Sequence, residues 1–196
     1  MSRSGHGDVR QKILEAAEQR LWHYGFKKTT IDEIAADAGV GKGTVYLYFE
    51  SKEDIGLAIM AQYKAQSLSR VEAVARDPNK HPIEKIKNML QQPVLNAHKR
   101  CAESPAALEL VVALRPHIAK RLQPYVEQEI AMLAQVMEQG NELGVFAVED
   151  TMQAARTLKL MCMGFLPPYP CVQEPENMEI EIGRIVDLTV QGLRKT

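Results

Sequence analysis

Cysteine is scarce in this chain. Cys101, Cys162 and Cys171 are the only three among 196 residues, an odd count with no C-x-x-C spacing. That argues against a disulfide framework or a zinc site and leaves reduced, mostly structural thiols. Long apolar runs are missing as well. Leu160–Leu166 is the most apolar stretch of the C-terminal half, far short of the roughly 18 residues of a membrane span. The opening MSRSGHGDVR lacks the apolar core of a secretory signal, so residence in the cytoplasm is the expectation. There is no excess of one charge: 24 basic against 25 acidic residues give a net −1, without the broad basic footprint of many nucleic-acid binders. His81, His98 and His117 fall in no metal-binding array, and no Ser/His/Asp or paired-carboxylate signature stands out. No metal, cofactor or enzymatic role is expected.

What is there is helical periodicity along nearly the whole length. Asp8 is placed to cap a first helix carrying Val9, Ile13, Ala16, Ala17, Leu21 and Tyr24, closed by Gly25. Thr30 and Glu33 form a capping box for a second helix, which stops at Gly39, where a left-handed backbone favours glycine. A short third helix runs from about Lys42 to Tyr48, and Ser51 with Asp54 opens a long fourth towards Arg76. Pro82 starts a fifth, which Pro93 should kink. Ser104-Pro105 opens a sixth ending near Arg115-Pro116, a seventh reaches Gly140, and Asp150 caps an eighth to about Phe165. PPYPCVQEP interrupts the chain before a ninth over Glu176–Arg194. The expected fold is all-α with about nine helices. Residues 1–55 form a three-helix bundle with a helix-turn-helix, joined by the long fourth helix to a larger helical domain over 56–196.

Residues 39–52, GVGKGTVYLYFESK, raise the question of a nucleotide phosphate loop. Such a loop has the spacing G-x-x-x-x-G-K-S/T after a β-strand, with the hydroxyl on Mg²⁺. Here Gly43 follows Lys42, Ala36 occupies the first glycine position, and Ile31, Ile34, Ala35 and Ala38 lie upstream at helical spacing. Spacing, hydroxyl and context all exclude it. Two helices joined by Ala38-Gly39-Val40-Gly41, the second of them short, form instead a helix-turn-helix, whose second helix enters the DNA major groove. Gly39 makes the turn, Val45 faces Ile34 and Ala35, and Phe49 belongs to the core. Residues 38–49 contain Lys42 and no acid, so any anion-binding surface is narrow.

The run TTIDEIAADAGVGKGTVYLYFESKEDI resembles the N-terminal signature of the tetracycline-repressor (TetR) family of bacterial transcription regulators. The resemblance covers about the first 60 residues and reaches back to Gly25-Phe26 and Val9. It implies a homodimer on near-palindromic operator DNA, usually repressing and released by a small molecule in the C-terminal domain. Carried over, it sets Lys42, Gly43, Thr44 and Tyr46 along the groove, Tyr48 and Lys52 on phosphates, and Thr30 on the backbone at the start of the second helix. Phosphate contacts position a protein on DNA and base edges supply readout.

The C-terminal half is rich in methionine: Met132, Met137, Met152, Met161, Met163 and Met178 lie in or beside the last three helices. Methionine fills irregular space in cores and at permissive binding surfaces. A small, hydrophobic, uncharged or weakly charged effector is expected, with Met89, Pro93, Met132, Met161 and Phe165 at its pocket. The last two helices are expected to pair with a second copy through Leu158, Ile182, Ile185 and Leu193. Two rival readings remain: a constitutive DNA-binding or chromosome-associated protein without effector, and a helical enzyme or binding protein that keeps the motif without DNA.

Overall fold

The structure, a computed structural model, describes residues 4–167 and 175–193. Eight helices account for its regular structure: α1 (Ser4–Tyr24), α2 (Ile31–Asp37), α3 (Lys42–Tyr46), α4 (Lys52–Arg76), α5 (Pro82–Glu103), α6 (Pro105–Glu142), α7 (Thr151–Met163) and α8 (Pro175–Leu193). They fall into two compact units. The first comprises residues 1–63 with Cys101–Leu122, the second Lys64–Arg100 with Gln123–Thr196. The bundle of the first unit thus takes in a segment of α6, a pairing across the sequence that a linear boundary at residue 55 does not express.

The first unit is built on a shared seam. Ile13, Leu14, Ala17 and Leu21 of α1 pack with Ile34 and Ala35 of α2, Val45 of α3, Phe49, and Ile55, Ala58 and Ile59 of α4. Leu110 and Leu114 of α6 close the same cluster. A backbone contact fixes this segment further, because the Lys27 amide donates to Glu109 Oε1 at 2.8 Å. Trp22 packs at the margin of the cluster and donates to Tyr63 and Glu18.

The second unit gathers Val71 and Ala75 of α4, Ile86, Met89, Leu90 and Val94 of α5, and Ile130, Leu133 and Met137 of α6. Ala155, Leu158 and Cys162 of α7 and Ile182, Val186 and Val190 of α8 complete it. Between α6 and α7 the ring of Phe146 lies over Gly140 so closely that a Cβ there would sit 2.1 Å from Cδ2. Asn141 fastens the same turn, donating to Val148 O at 2.7 Å and accepting from Val148 N at 3.0 Å. Asp150 caps α7 as expected, accepting from Gln153 N at 2.8 Å.

Two local expectations are corrected. Asp8 does not cap α1; the helix starts earlier, and Asp8 pairs with Lys12 one turn on at 2.9 Å. The expected sixth and seventh helices are one, α6, which runs through Pro116 and Pro124. A proline inside a helix removes one hydrogen bond to the carbonyl four residues back. Here both prolines are exposed, as are Val112 and Lys120, whose carbonyls lose their amide partners on the solvent side of the helix. Apolar packing on the other side carries the helix through. The PPYPCVQEP break, with Cys171, and the Met178 side chain lie outside the described residues.

Candidate nucleic-acid interface

The α2–turn–α3 element is set by hydrogen bonds that its own sequence supplies. Thr30, extended at φ −115°, caps α2: its Oγ1 accepts from the Glu33 amide at 3.3 Å while Glu33 Oε2 accepts from the Thr30 amide at 2.9 Å. At the other end Gly39 adopts φ +67°, the left-handed backbone that glycine enters without penalty. Its amide reaches Ala36 O at 3.1 Å and the Val40 amide reaches Ala35 O at 2.9 Å, a Schellman closure with Val40 packed on the core. This turn sends the chain directly into α3.

Arg20 of α1 holds both ends of α2. Its guanidinium contacts Asp37 Oδ2 at 2.6 Å and Glu33 Oε1 at 3.1 Å. The Arg20 hydrogen bond is the main cause holding the Asp37 carboxyl below its ordinary range. Glu33 is lowered first by its bonds from Thr30 and then by Arg20.

On α3, Val45 is buried and every other residue is exposed or half-buried. Lys42 is exposed and pairs with Asp32 of α2 at 2.9 Å, which raises its pKa. Gly43 is exposed, with no atom within 4 Å of the position a Cβ would take. Thr44 is half-buried, Tyr46 is exposed and Tyr48 is half-buried against the core. Lys42, Gly43, Thr44 and Tyr46 therefore stand together on one short helix, with Thr30 at the start of the preceding one.

Lys52 is differently engaged. Its ammonium donates to Phe26 O at 2.7 Å and Thr29 O at 2.9 Å, and lies 4.4 Å from the centre of the Phe26 ring. An ammonium has three N–H groups, so one remains for an outside acceptor. Lys52 thus ties the first turn of α4 to the loop that presents Thr30.

The sequence reading missed Leu47. This side chain is 80 % exposed at the end of α3, the most exposed large apolar group among the described residues. The signal was available: Val45 and Phe49 mark the buried face at i and i+4, and Leu47 lies between them on the opposite side.

In the second unit the expected effector residues stand in different settings. Pro93 borders a cleft of about 250 Å³ between α4 and α5, beside Arg70, Asn88 and Asn96. Met132 borders another of about 350 Å³ between α4 and α6. Met89 is core, Met161 is exposed on α7, and Phe165 packs against the core while its carbonyl meets the His98 ring. Of the residues expected at a dimer surface, Leu158 and Ile182 lie in the core, and Ile185 and Leu193 are half-buried. The exposed apolar side chains of α7 and α8 are instead Met152, Leu160, Met161, Ile180 and Leu188.

Among the described residues no group of three or more His, Cys, Asp or Glu is placed to hold a metal, and no helix is long and apolar enough to cross a membrane. A profile of bacterial regulatory proteins of the tetR family matches residues 13–59. The chain is 25 % identical over 197 residues to the HTH-type transcriptional repressor BepR of Brucella suis, covering 95 % of this chain and 92 % of that protein. Over 48 residues it is 46 % identical to the HTH-type transcriptional regulator YhgD of Bacillus subtilis, a match that spans 24 % of this chain and 25 % of that one. A crystal structure of a TetR/AcrR-family regulator from Thermobifida fusca superposes with a TM-score of 0.71 at 24 % identity, over 96 % of this chain and all of the other. That likeness shows the fold.

Proposed function

From its membership of the tetR family of bacterial regulatory proteins, we infer that this chain represses transcription by binding operator DNA through α3. The observation that carries the reading is the α2–turn–α3 element inside the matched segment, whose short α3 seats Val45 in the core and leaves Lys42, Gly43 and Tyr46 exposed and Thr44 half-buried. Residues 1–55 are the DNA-binding part and 56–196 the regulatory and pairing part. Lys42 and Thr44 read base edges: an ammonium donates to guanine O6 and N7, and a threonine methyl touches a thymine methyl. Gly43 admits the backbone close to the groove, and Tyr46 lies along it. Thr30, Tyr48 and the third N–H of Lys52 meet phosphates, fixing register without reading sequence.

The working form is a homodimer on a near-palindromic site, since paired reading helices meet half-sites one helical turn apart. Leu160, Met161, Ile180 and Leu188 supply its apolar surface. A small hydrophobic effector in the second unit releases the operator. It does so only through unequal affinity for the bound and released forms, and linkage makes the effect reciprocal. The protein acts in the cytoplasm, on the nucleoid when bound to DNA.

Selection of binding sites from random duplexes tests the reading. The expected result is an inverted repeat bound by a dimer. Sequence-independent binding, or none, would overturn it. Leu188→Glu should give monomers in ultracentrifugation, whereas a dimer that survives Leu160→Glu and Leu188→Glu together moves the interface elsewhere.

A further inference from the structure

The outward face of α3 has an apolar centre. Gly43 and Leu47 stand two residues before and two after the buried Val45. At 3.6 residues per turn each lies about 160° from it round the helix. Leu47 is the C-cap and keeps helical backbone, φ −71° and ψ −20°, so this phase holds to the end of the element. The neighbouring side chains turn further aside. Lys42 lies about 60° from Val45 and meets Asp32 of α2, while Thr44 and Tyr46 flank the face at about 100° on either side.

The two central residues make a notch. Leu47 is 80 % exposed and forms its wall. Gly43, one turn earlier, forms its floor: beyond its chain neighbours and the helix's own backbone, nothing lies within 4 Å of the position a Cβ would take. A leucine side chain neither donates nor accepts a hydrogen bond, so a polar group pressed against it loses water and gains no partner. Residues 38–49 carry Lys42 and no acid, which lets a polyanion approach. Among the groups that base edges present in the major groove, the C5-methyl of thymine is the apolar one, and the rest are donors and acceptors.

We propose that Leu47 and Gly43 seat the C5-methyl of one thymine in each half-site, which makes Leu47 a specificity-determining residue of the operator contact. The notch accepts the methyl, and it disfavours bases whose donors and acceptors would be desolvated against the leucine. The proposal rests on the operator reading above and adds to it a base position read by apolar contact.

The test uses the full-length protein and the duplex obtained by site selection, with thymine replaced by uracil in symmetric pairs, one position at a time. Uracil removes the methyl and keeps every hydrogen-bonding group. Binding is read by fluorescence anisotropy of the labelled duplex. At one position the exchange weakens wild-type binding about threefold to fivefold per half-site, the worth of one buried methyl. Leu47→Ala weakens binding to the thymine duplex at least as much and no longer distinguishes uracil from thymine at that position. Its melting, followed through Trp22, is unchanged because the side chain is exposed. Gly43→Ala fills the notch and weakens operator binding without lowering the melting temperature, since alanine favours helix. Leu47→Ala overturns the proposal if it binds the operator as the wild type does, if it loses equally on operator and random duplexes, or if it keeps the uracil effect at every position. A loss that follows a change of oligomeric state in ultracentrifugation also overturns it and puts Leu47 at a protein contact. In each of these cases the wild type still selects its inverted repeat, so the operator reading stands. A wild type that selects no site overturns both.

Discussion

The two units carry charge in opposite ways. In the first, the pairs around the reading element lie at the surface: Lys42 with Asp32, and Arg20 with Glu33 and Asp37. In the second, the Glu129 carboxylate and Lys159 are buried, and Lys64 reaches the carboxylate from a half-buried position. Exposed pairs contribute little to stability and exchange partners readily. Buried charges fix their neighbours at a cost, and removing one member strands the rest. The first unit thus keeps these carboxylates at its surface, whereas the second holds one in its core.

Deleting Glu129 is the most forceful way to break the contrast. Glu129→Ala leaves buried Lys159 and half-buried Lys64 with no carboxylate, and the second unit should lose up to about 3–5 kcal/mol. Replacing all three charged residues by Met and Leu should cost far less, because no charge is stranded. The single tryptophan, Trp22, belongs to the first unit, so its fluorescence follows that unit while far-ultraviolet dichroism follows both. Denaturation of Glu129→Ala should show the dichroism signal lost ahead of the tryptophan signal. Coincident, unshifted transitions would show that the cluster carries no stability.

Lys52 comes next, since it belongs to both categories. Lys52→Ala removes two charged hydrogen bonds to the Phe26 and Thr29 carbonyls, each worth about 1.5–3 kcal/mol, so the first unit should lose stability as seen by Trp22. If its third N–H also meets a phosphate, binding to specific and random DNA falls alike and the salt slope flattens by about one. A lower melting temperature with an unchanged slope would make Lys52 a purely internal tie. Lys42→Ala should leave stability unmoved and relax preference at one base per half-site, by about 1–3 kcal/mol. A selected motif identical to that of the wild type removes Lys42 from readout.

How much of this was legible in the sequence follows from the range of the forces. Local chemistry was readable: the Thr30–Glu33 box, the Gly39 turn and the Asp150 cap are contacts over a few residues, and all are present. The all-α class and the burial of Val45 and Phe49 follow from periodicity alone. What escaped depends on the far side of the chain. Proline at 116 and 124 reads as a helix break until one knows that both face water. Glu109 meeting the Lys27 amide, 82 residues away, has no local trace, and neither does Lys64 meeting Glu129. Density of apolar residues marked α7 and α8 as a pairing surface, but helical phase decides which of them point outward. Leu158 and Leu160 differ by two positions and lie on opposite sides.

The smallest expected effect concerns acid. Glu33 and Asp37 both have carboxyl groups held below their ordinary values of 4.5 and 3.8, Glu33 chiefly by hydrogen bonds from Thr30 and Asp37 by one from Arg20. A lowered folded value means that the charged form is favoured by folding. Their contribution is therefore complete above the ordinary carboxylate range and is lost as pH falls through the lowered values. Both groups are at the surface, so the effect is small, and added salt should reduce it further. Because Arg20 joins Glu33 and Asp37, protonation loosens both ends of α2 together, while the buried seam of Ile34, Ala35 and Val45 has nothing to titrate. Urea unfolding followed through Trp22 should show wild-type stability declining below about pH 4.5, and Glu33→Gln declining less steeply from a slightly lower plateau. Parallel declines in the two proteins would mean that the capping carboxylate gains nothing on folding, and that α2 is held by its apolar face alone.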